Sequence, residues 1–313
     1  MRHEFVESLV ELAAGDDRVM LLTGDLGFTV LEPFAERFPE RFVNVGVAEQ
    51  NMVGVATGLA EAGFTPYVYS IATFASMRGY EFIRNGPVQH KLPVRVVGIG
   101  GGVEYGHNGL SHYALEDVAL MRTQPELTVV APAAPDQVPA AMTAIAGLPG
   151  PAYLRLSKES APVPGLEGRF RLGRTEQIGD GEDVVIVALG AIAADAVAAA
   201  ERLAARDIAA TVAVASTVNP APTRDLIKLL RRAPLAVAAE AHYVNGGLGS
   251  LVAEVIAENQ IPCRLLRAGV RVTPAGITGS RAHMHERLGI SEEHLVDMIT
   301  EALGVRSDRL TLS

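Results

Sequence analysis

The sequence has a single cysteine, Cys263, no tryptophan, and few aromatic residues overall, at 5% of its 313 residues. One cysteine excludes an internal disulfide bond and a metal site built from several thiolates, as is typical of proteins in a reducing compartment. The sequence also lacks any run of about 18 uncharged apolar residues, the length that a membrane-spanning helix needs. Its N-terminal segment has no apolar signal-peptide core. We therefore expect a soluble protein of the cytoplasm, with no membrane partner.

Basic residues are also in deficit, since 27 Lys and Arg stand against 36 Asp and Glu, for a net charge of -9. An acidic chain repels the phosphate backbone, so a nucleic-acid partner is not expected. Hydrophobic residues make up 49% of the chain and charged residues 20%, a balance that excludes a disordered or collagen-like protein. The length allows about two domains of ~150 residues, each with a full core.

Short apolar runs alternate with segments of helical spacing through the first half of the chain. Within the runs, apolar residues do not alternate with polar ones, which is typical of parallel strands covered by helices on both faces. The pattern predicts a doubly wound parallel α/β sheet with strands at 18–23, 42–45, 65–69, 94–99 and 128–131.

This alternation fails between residues 158 and 183, where Pro and Gly residues cluster with charged ones. Such a stretch is typical of a linker between domains. Strand-like and helix-like segments then resume up to the end of the chain. We predict a first domain at 1–160, a linker at 161–182 and a smaller α/β C-terminal domain at 183–313.

The densest chemical signal is an acidic residue at a strand-to-helix junction. Glu49 lies in the first turn of a Gly- and Ala-rich helix, at the carboxyl edge of the sheet, where open α/β sheets bind their ligands. Taken alone, an acidic residue there only complements the helix dipole, a contribution of ~0.3 to 1 kcal/mol. Two further segments, one ending in Phe74 and one containing His112, strengthen the functional interpretation.

Together these segments carry a family resemblance. The block Gly46-Val-Ala-Glu49-Gln-Asn-Met resembles the aminopyrimidine-binding segment of thiamine diphosphate enzymes of the transketolase group, which includes deoxyxylulose-phosphate synthase. Tyr69-Ser-Ile-Ala-Thr-Phe74 is similar to the group's Ser-Thr-Phe segment. Gly109-Leu-Ser-His112-Tyr-Ala-Leu-Glu-Asp is similar to its Gly-x-Thr-His-x-x-x-Glu-Asp segment. The resemblance extends over nearly the whole chain, including the linker and second domain.

The resemblance implies that the protein uses thiamine diphosphate with Mg²⁺. Glu49 is then the catalytic carboxyl group that shares a proton with the pyrimidine ring, and Phe74 supplies the aromatic face against that ring. We expect Glu49 to be buried and so able to hold a proton near neutral pH. Asp25 and Leu26 match a Gly-Asp-Leu segment that the group keeps close to the cofactor.

The aromatic contact departs from the group's pattern. Met77 stands where transketolases usually have a second aromatic residue. The resemblance then implies either a softer cofactor contact from Met77 or a replacement by Tyr80, one turn later.

By the same resemblance, His112 is a catalytic residue facing the reacting carbon, and imidazole is suited to exchange hydrogen bonds with a substrate oxygen at neutral pH. His107 is the next candidate for the substrate site. Asn108 stands where the group has an Asp that recognises the donor, which removes a charge from that site.

The segment where the group binds phosphate departs further from the group's pattern. The loop at 97–103 is rich in glycine where the group has a phosphate-binding His or Arg. Arg155 and Lys158 lie where the group keeps another phosphate-binding basic residue, so we predict that they bind substrate. The alternative for both is a solvated strand end without a ligand.

The group's signature for metal and diphosphate binding is not found. Gly179-Asp180-Gly181 has part of its form, but the next Asn is Asn219, and the segment is better interpreted as a turn. The chain thus resembles the C-terminal subunit of a split, two-chain transketolase. The resemblance implies no metal ligands in this chain, and an N-terminal transketolase subunit that supplies the Mg²⁺ and diphosphate ligands in an α2β2 assembly. Three histidines are interpreted as residues of a surface helix rather than as ligands: His283, His285 and His294.

The expected activity is transfer of a two-carbon ketol unit from a ketose donor to an aldehyde acceptor, both small molecules. Three alternatives remain open at this point. The chain has the length and domain order of a 2-oxo-acid dehydrogenase beta subunit, it resembles deoxyxylulose-phosphate synthase, and it could be a scaffold subunit that has kept only the fold.

Overall fold

A computed structural model of the chain describes residues 1–158 and 161–305. Its helices are α1 (Arg2–Gly15), α2 (Glu32–Arg37), α3 (Glu49–Glu61), α4 (Tyr80–Ile83), α5 (Asp117–Arg122), α6 (Val138–Ala146), α7 (Ala193–Ala204), α8 (Thr223–Leu230), α9 (Leu248–Glu258), α10 (Arg281–Arg287) and α11 (Glu292–Ala302). Its strands are β1 (Val19–Thr23), β2 (Phe42–Asn44), β3 (Thr65–Ile71), β4 (Arg95–Ile99), β5 (Thr128–Val130), β6 (Ala152–Leu156), β7 (Glu176–Ile178), β8 (Val184–Leu189), β9 (Ala210–Val214), β10 (Thr217–Asn219), β11 (Leu235–Tyr243) and β12 (Arg264–Val270). In these ranges no helix combines the length and the apolar character needed to cross a membrane.

The first sheet is built as the apolar runs predict. Within the described residues it has seven strands in the order β10-β5-β6-β4-β3-β1-β2, all parallel except β10 at one edge. Strands β1, β4 and β6 are buried along their whole length, because helices cover both faces. One face packs against α1 and α6 through residues such as Phe5 and Met142, and the other against α3 through Met52. The predicted doubly wound α/β architecture is confirmed.

The second sheet is smaller. Its five described strands run in the order β12-β11-β8-β9-β7, parallel except for the edge strand β7. Apolar residues on α7 and α11, among them Val197 and Ile299, pack against one of its faces. The predicted second α/β domain is confirmed as a fold unit.

Two short edge strands lie where the sequence predicts none. Strand β7 falls inside the predicted linker 161–182 and joins the second sheet. Strand β10 follows β9 in the second half of the chain but pairs with β5 of the first sheet. Each has three residues, too few for a hydrophobic period to show. The bounds at 160, 182 and 183 stay predictions, and residues 159–160 and 306–313 lie outside the described residues.

Hydrogen bonds join the two domains. His242 Nε2, at the end of β11, accepts a hydrogen bond of 3.2 Å from the backbone N–H of Ala119 on α5. Arg122, on the same helix, donates to the Gly246 carbonyl at 3.2 Å. The second domain therefore supports α5, which directly follows the segment containing His112.

Asn219, on β10, fixes the strand that crosses between the domains. Its side-chain amide donates to the carbonyls of Gln124, Pro125 and Leu127, at 3.1, 3.1 and 2.7 Å. We expect Asn219→Ala to lower the free energy of unfolding by about 1–3 kcal/mol, because these carbonyls lose their partner. Urea unfolding measures the change. Asn259→Ala is the control, since Asn259 bonds only within its own helix end, and an equal loss there would contradict the prediction.

Candidate active site

The site is centred on the carboxyl group of Glu49, the first residue of α3. Glu49 is 2% exposed, as predicted. Its Oε1 accepts a hydrogen bond of 2.9 Å from the hydroxyl of Ser70, near the end of β3. A Cβ atom added at Gly24, which follows β1, would lie 3.5 Å from that oxygen. The carboxyl ends of β1 and β3 thus enclose one side of the Glu49 carboxyl group.

Arg78 contacts the other carboxylate oxygen. It is the last residue of a π-helical turn at Phe74–Arg78. Its Nη1 donates to Glu49 Oε2 at 3.0 Å, and its Cζ lies 3.9 Å from the centre of the Phe74 ring. The side chain of Arg78 is 46% exposed, whereas that of Glu49 is 1% exposed. Arg78 was not predicted from the sequence, although its position four residues after Phe74 places the two side chains on one helical face.

Phe74 and His112 are brought together. Their ring centroids are 5.1 Å apart at an interplanar angle of 66°, an edge-to-face contact. The Nδ1 of His112 lies 3.0 Å from the hydroxyl of the adjacent Ser111. Tyr105, which the sequence did not single out, has its ring centroid 6.1 Å from that of His112. The structure therefore joins Glu49, Phe74 and His112 into one cluster through Arg78.

Asp25 and Leu26 lie in the loop after β1, beside this cluster. Asp25 has a left-handed backbone, with φ of 59°, and its carboxylate accepts a 3.0 Å hydrogen bond from the side chain of Asn44. The hydroxyl of Thr23 donates to the Leu26 carbonyl at 2.8 Å. These bonds fix the loop at the sheet edge that holds Glu49.

The two candidates for the second cofactor contact differ in where they lie. Met77 is exposed, and its sulfur accepts a 3.3 Å hydrogen bond from the Thr73 hydroxyl. Tyr80 packs against the core, and its hydroxyl lies 2.7 Å from the Thr123 hydroxyl, at the end of α5. The Tyr80 hydroxyl is therefore held by α5, while Met77 remains at the surface of the π-helical turn.

The predicted substrate residues occupy the loop after β4 and the end of β6. His107 and Asn108 are exposed in a 3₁₀ turn at Gly106–Asn108. Lys158 Nζ lies 4.8 Å from the centroid of the Tyr105 ring, and Tyr105 in turn lies beside His112. These three side chains lie at the same edge as the cluster.

Arg155 is not the solvated strand end of the alternative interpretation. Its guanidinium is buried against Asp117, with Nε 2.7 Å from Oδ2, and substrate binding by Arg155 stays a prediction. Its Nη2 also donates to the carbonyls of Ala114, at 3.1 Å, and Ala241, at 3.0 Å. Since Ala241 belongs to the second domain, Arg155 links the two domains beneath the site.

The glycines of the loop after β4 are required by close packing. A Cβ atom at Gly100, whose φ is +77°, would lie 2.2 Å from the Tyr105 ring. One at Gly101 would lie 2.4 Å from Arg155 Cζ. Glycine in this loop therefore makes room for Tyr105 and Arg155, at the position where the group has a phosphate-binding residue.

Glu104, in the same loop, is a buried acid that was not predicted from the sequence. Its carboxylate accepts hydrogen bonds from the Ser157 hydroxyl and from the backbone N–H of Lys158, the latter at 2.6 Å. Burial raises the pKa of Glu104 above its ordinary value, an effect that these hydrogen bonds oppose. Glu104 thereby fixes the backbone that carries Lys158.

Among residues 1–158 and 161–305, no group of three or more His, Cys, Asp or Glu side chains is arranged to hold a metal ion.

The predicted surface position is wrong for one of the three histidines assigned to a surface helix. His285, on α10, is 4% exposed, and its Nδ1 lies 3.4 Å from Asp195 of α7. The sequence could not show this, because burial of α10 depends on the second domain's packing.

Comparison with known proteins agrees with this architecture. The family model for the transketolase pyrimidine-binding domain matches residues 1–164, and the model for the transketolase C-terminal domain matches residues 173–295. Together they cover both sheets.

Individual relatives are similar over nearly their whole length. A protein named as a transketolase C-terminal section, from Methanocaldococcus jannaschii, is 36% identical over 97% of this chain and 96% of its own. A 6-deoxy-6-sulfo-D-fructose transketolase subunit from Clostridium sp. strain MSTE9 is 36% identical, over 95% of this chain and 92% of its own. A solved structure titled a split gene transketolase, inactive beta4 tetramer, superposes with a TM-score of 0.87 at 36% identity, covering 97% of this chain and 98% of that one.

The fold and the Glu49 cluster define a two-domain α/β protein with a candidate ligand site at the carboxyl edge of its first sheet. The chain belongs to the transketolase family. The resemblance to the C-terminal subunit of a split transketolase is confirmed, and family membership implies dependence on thiamine diphosphate.

Arg155→Met tests whether this residue supports the fold. Removing one partner of a buried ion pair leaves the other charge uncompensated, so we expect a loss of about 3–5 kcal/mol in the free energy of unfolding. Urea denaturation provides the measurement. Arg174→Met, which removes a more exposed pair with Asp225, should cost no more than about 1 kcal/mol. A stable Arg155→Met protein with an altered KM for a phosphorylated acceptor would instead support substrate binding.

Glu104 predicts a pH dependence of stability. The pKa of Glu104 is higher in the folded chain than its usual 4.5, so the folded state binds the proton more tightly than the unfolded state does. The free energy of unfolding therefore falls as pH rises through the pKa of the folded state. Glu104→Gln cannot ionise here, so the free energy of unfolding of the variant, relative to wild type, should increase with pH by at most ~1.4 kcal/mol per pH unit. Thermal and urea unfolding between pH 5 and 8 check this. The exposed Glu7→Gln should show no such trend.

Proposed function

We propose that this chain is the subunit of a thiamine diphosphate-dependent transketolase that receives the pyrimidine half of the cofactor, and that the assembled enzyme transfers a two-carbon ketol unit from a ketose to an aldehyde. The observation that carries the proposal is the buried Glu49 carboxyl group beside the Phe74 and His112 rings, at the carboxyl edge of a parallel sheet. Ligands of open α/β sheets bind at this edge.

The residues present fit an aminopyrimidine ring. Glu49 offers a carboxyl oxygen for a proton on a ring nitrogen, with Ser70 holding its other oxygen. Phe74 offers a flat apolar face, and stacking on it would add about 0.5–1.5 kcal/mol beyond area burial. Asp25 and Leu26 would border the same ring. When bound, thiamine diphosphate supplies a nucleophilic carbon that accepts the two-carbon unit.

His112 is proposed to exchange hydrogen bonds with a substrate oxygen. Its Nδ1 is turned to the Ser111 hydroxyl, which leaves Nε2 for the substrate. His107 and Asn108 would contact the donor from the same loop. Lys158, held beside Tyr105, would provide a positive charge for an anionic group on the substrate.

The exposed apolar residues around the site support a protein partner. Phe28, Val47, Met77 and Leu110 are all exposed, and each lies on a loop or turn that follows a strand of the first sheet. Clustered exposed apolar side chains are typical of interaction surfaces. We propose that an N-terminal transketolase subunit covers this rim and supplies the ligands of Mg²⁺ and the diphosphate, in an α2β2 assembly.

The proposed compartment is the cytoplasm. Cys263 is the one cysteine of the chain, is buried and forms no disulfide. This usage is typical of proteins that work under reducing conditions.

Glu49→Gln tests the proposed role of the carboxyl group. In a complex reconstituted with the N-terminal subunit, thiamine diphosphate and Mg²⁺, we expect the variant to lose activity by roughly 10²- to 10⁴-fold, as for other proton-transfer groups. The assay follows carbon dioxide release and two-carbon transfer from hydroxypyruvate. Glu61→Gln, at the exposed end of the same helix, is the matched control.

Normal turnover of Glu49→Gln would contradict the assigned role. Lipoyl-dependent turnover of a 2-oxo acid by the wild-type complex would point to a dehydrogenase beta subunit. Inactivity of the wild-type chain in every pairing would favour a scaffold.

A further inference from the structure

The guanidinium of Arg78 makes the two contacts that the proposed ligand would make at this site. It donates to Glu49 Oε2 at 3.0 Å and lies over the Phe74 ring, with Cζ 3.9 Å from the ring centre. A flat group that donates an N–H to Glu49 while stacking on Phe74 is also what the proposed function requires of an aminopyrimidine ring. The guanidinium and the ring are both planar, and both present N–H groups at their edge.

The two groups compete for the same contacts. Ser70 donates to Glu49 Oε1, whereas Arg78 donates to Oε2 and lies over the Phe74 ring. The His112 ring meets the Phe74 ring in an edge-to-face contact. A ring that bonds to Oε2 and stacks on the face of Phe74 that Arg78 covers would meet the guanidinium and has to displace it.

Arg78 is placed to leave readily. Its side chain is 46% exposed, so the guanidinium can move into water without crossing the protein interior. It is the last residue of its π-helical turn and is followed by Gly79. Water competes for the half-exposed guanidinium, which weakens its contacts with Glu49 and Phe74 relative to those of a fully buried group.

The contact also compensates a buried charge. Glu49 is almost completely buried, and an ionised carboxyl group without a partner is unfavourable there. Of the described residues, those shown in contact with the Glu49 carboxyl group are Arg78, which is charged, and Ser70, which is neutral. Arg78 thus allows the subunit to fold with this carboxyl group in place before any ligand arrives.

We propose that Arg78 is a displaceable occupant of the pyrimidine position, so that the cofactor enters this half of the site by removing the guanidinium from Glu49 and Phe74. This inference rests on the proposed function. It makes Arg78 a residue that sets cofactor affinity: the apparent dissociation constant equals the intrinsic one divided by the fraction of molecules in which Arg78 has left the site.

The first test is a binding measurement. Thiamine diphosphate is titrated by calorimetry into the complex of this chain with the N-terminal subunit and Mg²⁺, using wild type and Arg78→Met. We expect Arg78→Met to bind about 5- to 20-fold more tightly, because the competing contacts are removed. Arg37→Met is the matched control, since Arg37 lies over the ring of Phe38 away from the site and should leave the affinity unchanged.

The second test needs neither cofactor nor partner. In the chain alone, Arg78→Met removes the charged partner of the buried Glu49 carboxyl group, so the variant should lose stability in urea unfolding. In a Glu49→Gln background the same Arg78→Met change should cost clearly less, because the carboxylate is then absent. An Arg78 side chain that merely packs on the surface would give the same loss in both backgrounds.

The outcomes separate this inference from the proposed function. A wild-type complex that does not bind thiamine diphosphate overturns both. A wild-type complex that binds it, with Arg78→Met binding equally or more weakly, overturns the inference alone, because Arg78 then either is neutral or holds the bound cofactor. If Arg78→Met does not fold, Arg78→Lys carries the binding test, since lysine keeps the charge but not the planar group. Tighter binding by that variant supports the inference, and equal or weaker binding overturns it.

Discussion

The organisation of this site depends on the compensation of one buried carboxyl group. An ionised carboxylate removed from water without partners costs several kcal/mol, and Glu49 lies almost fully inside the first domain. The fold therefore has to bring polar groups to it, which it does from the end of β3, through Ser70, and from the π-helical turn that follows, through Arg78. The same requirement places Phe74, and through it His112, beside Glu49.

A second buried charge pair connects this site to the rest of the molecule. Arg155 and Asp117 tie the end of β6 to the start of α5, and Arg155 reaches the second domain through the Ala241 carbonyl. The loop with Tyr105 and the segment with His112 lie between β4 and α5. The second domain thus contributes no side chain to the Glu49 cluster described here, but it supports the backbone on which His112 is carried.

Much of the architecture was predictable because it follows from local periodicity. Unbroken apolar runs such as β1 and β4 are parallel strands buried on both faces, and Glu49 falls in a helix first turn at the carboxyl edge. The strands β7 and β10 were not predictable, because three residues show no period and their pairing depends on which sheet edge is free. Arg155 illustrates the same limit at the site. Its position in a strand is visible in the sequence, but its partner Asp117 lies 38 residues away and meets it only after the sheet has formed.

The sequence by itself determined the fold class, the order of the two domains and the candidates Glu49, Phe74 and His112, since hydrophobic period and motif spacing are local properties of the chain. Tertiary structure alone decided that Arg78 bonds to Glu49, that Arg155 is a buried link between domains, and that Glu104 fixes the backbone of Lys158. Each of these depends on a contact between segments distant in sequence. Such contacts are set by how strands and helices pack, and no local pattern encodes them.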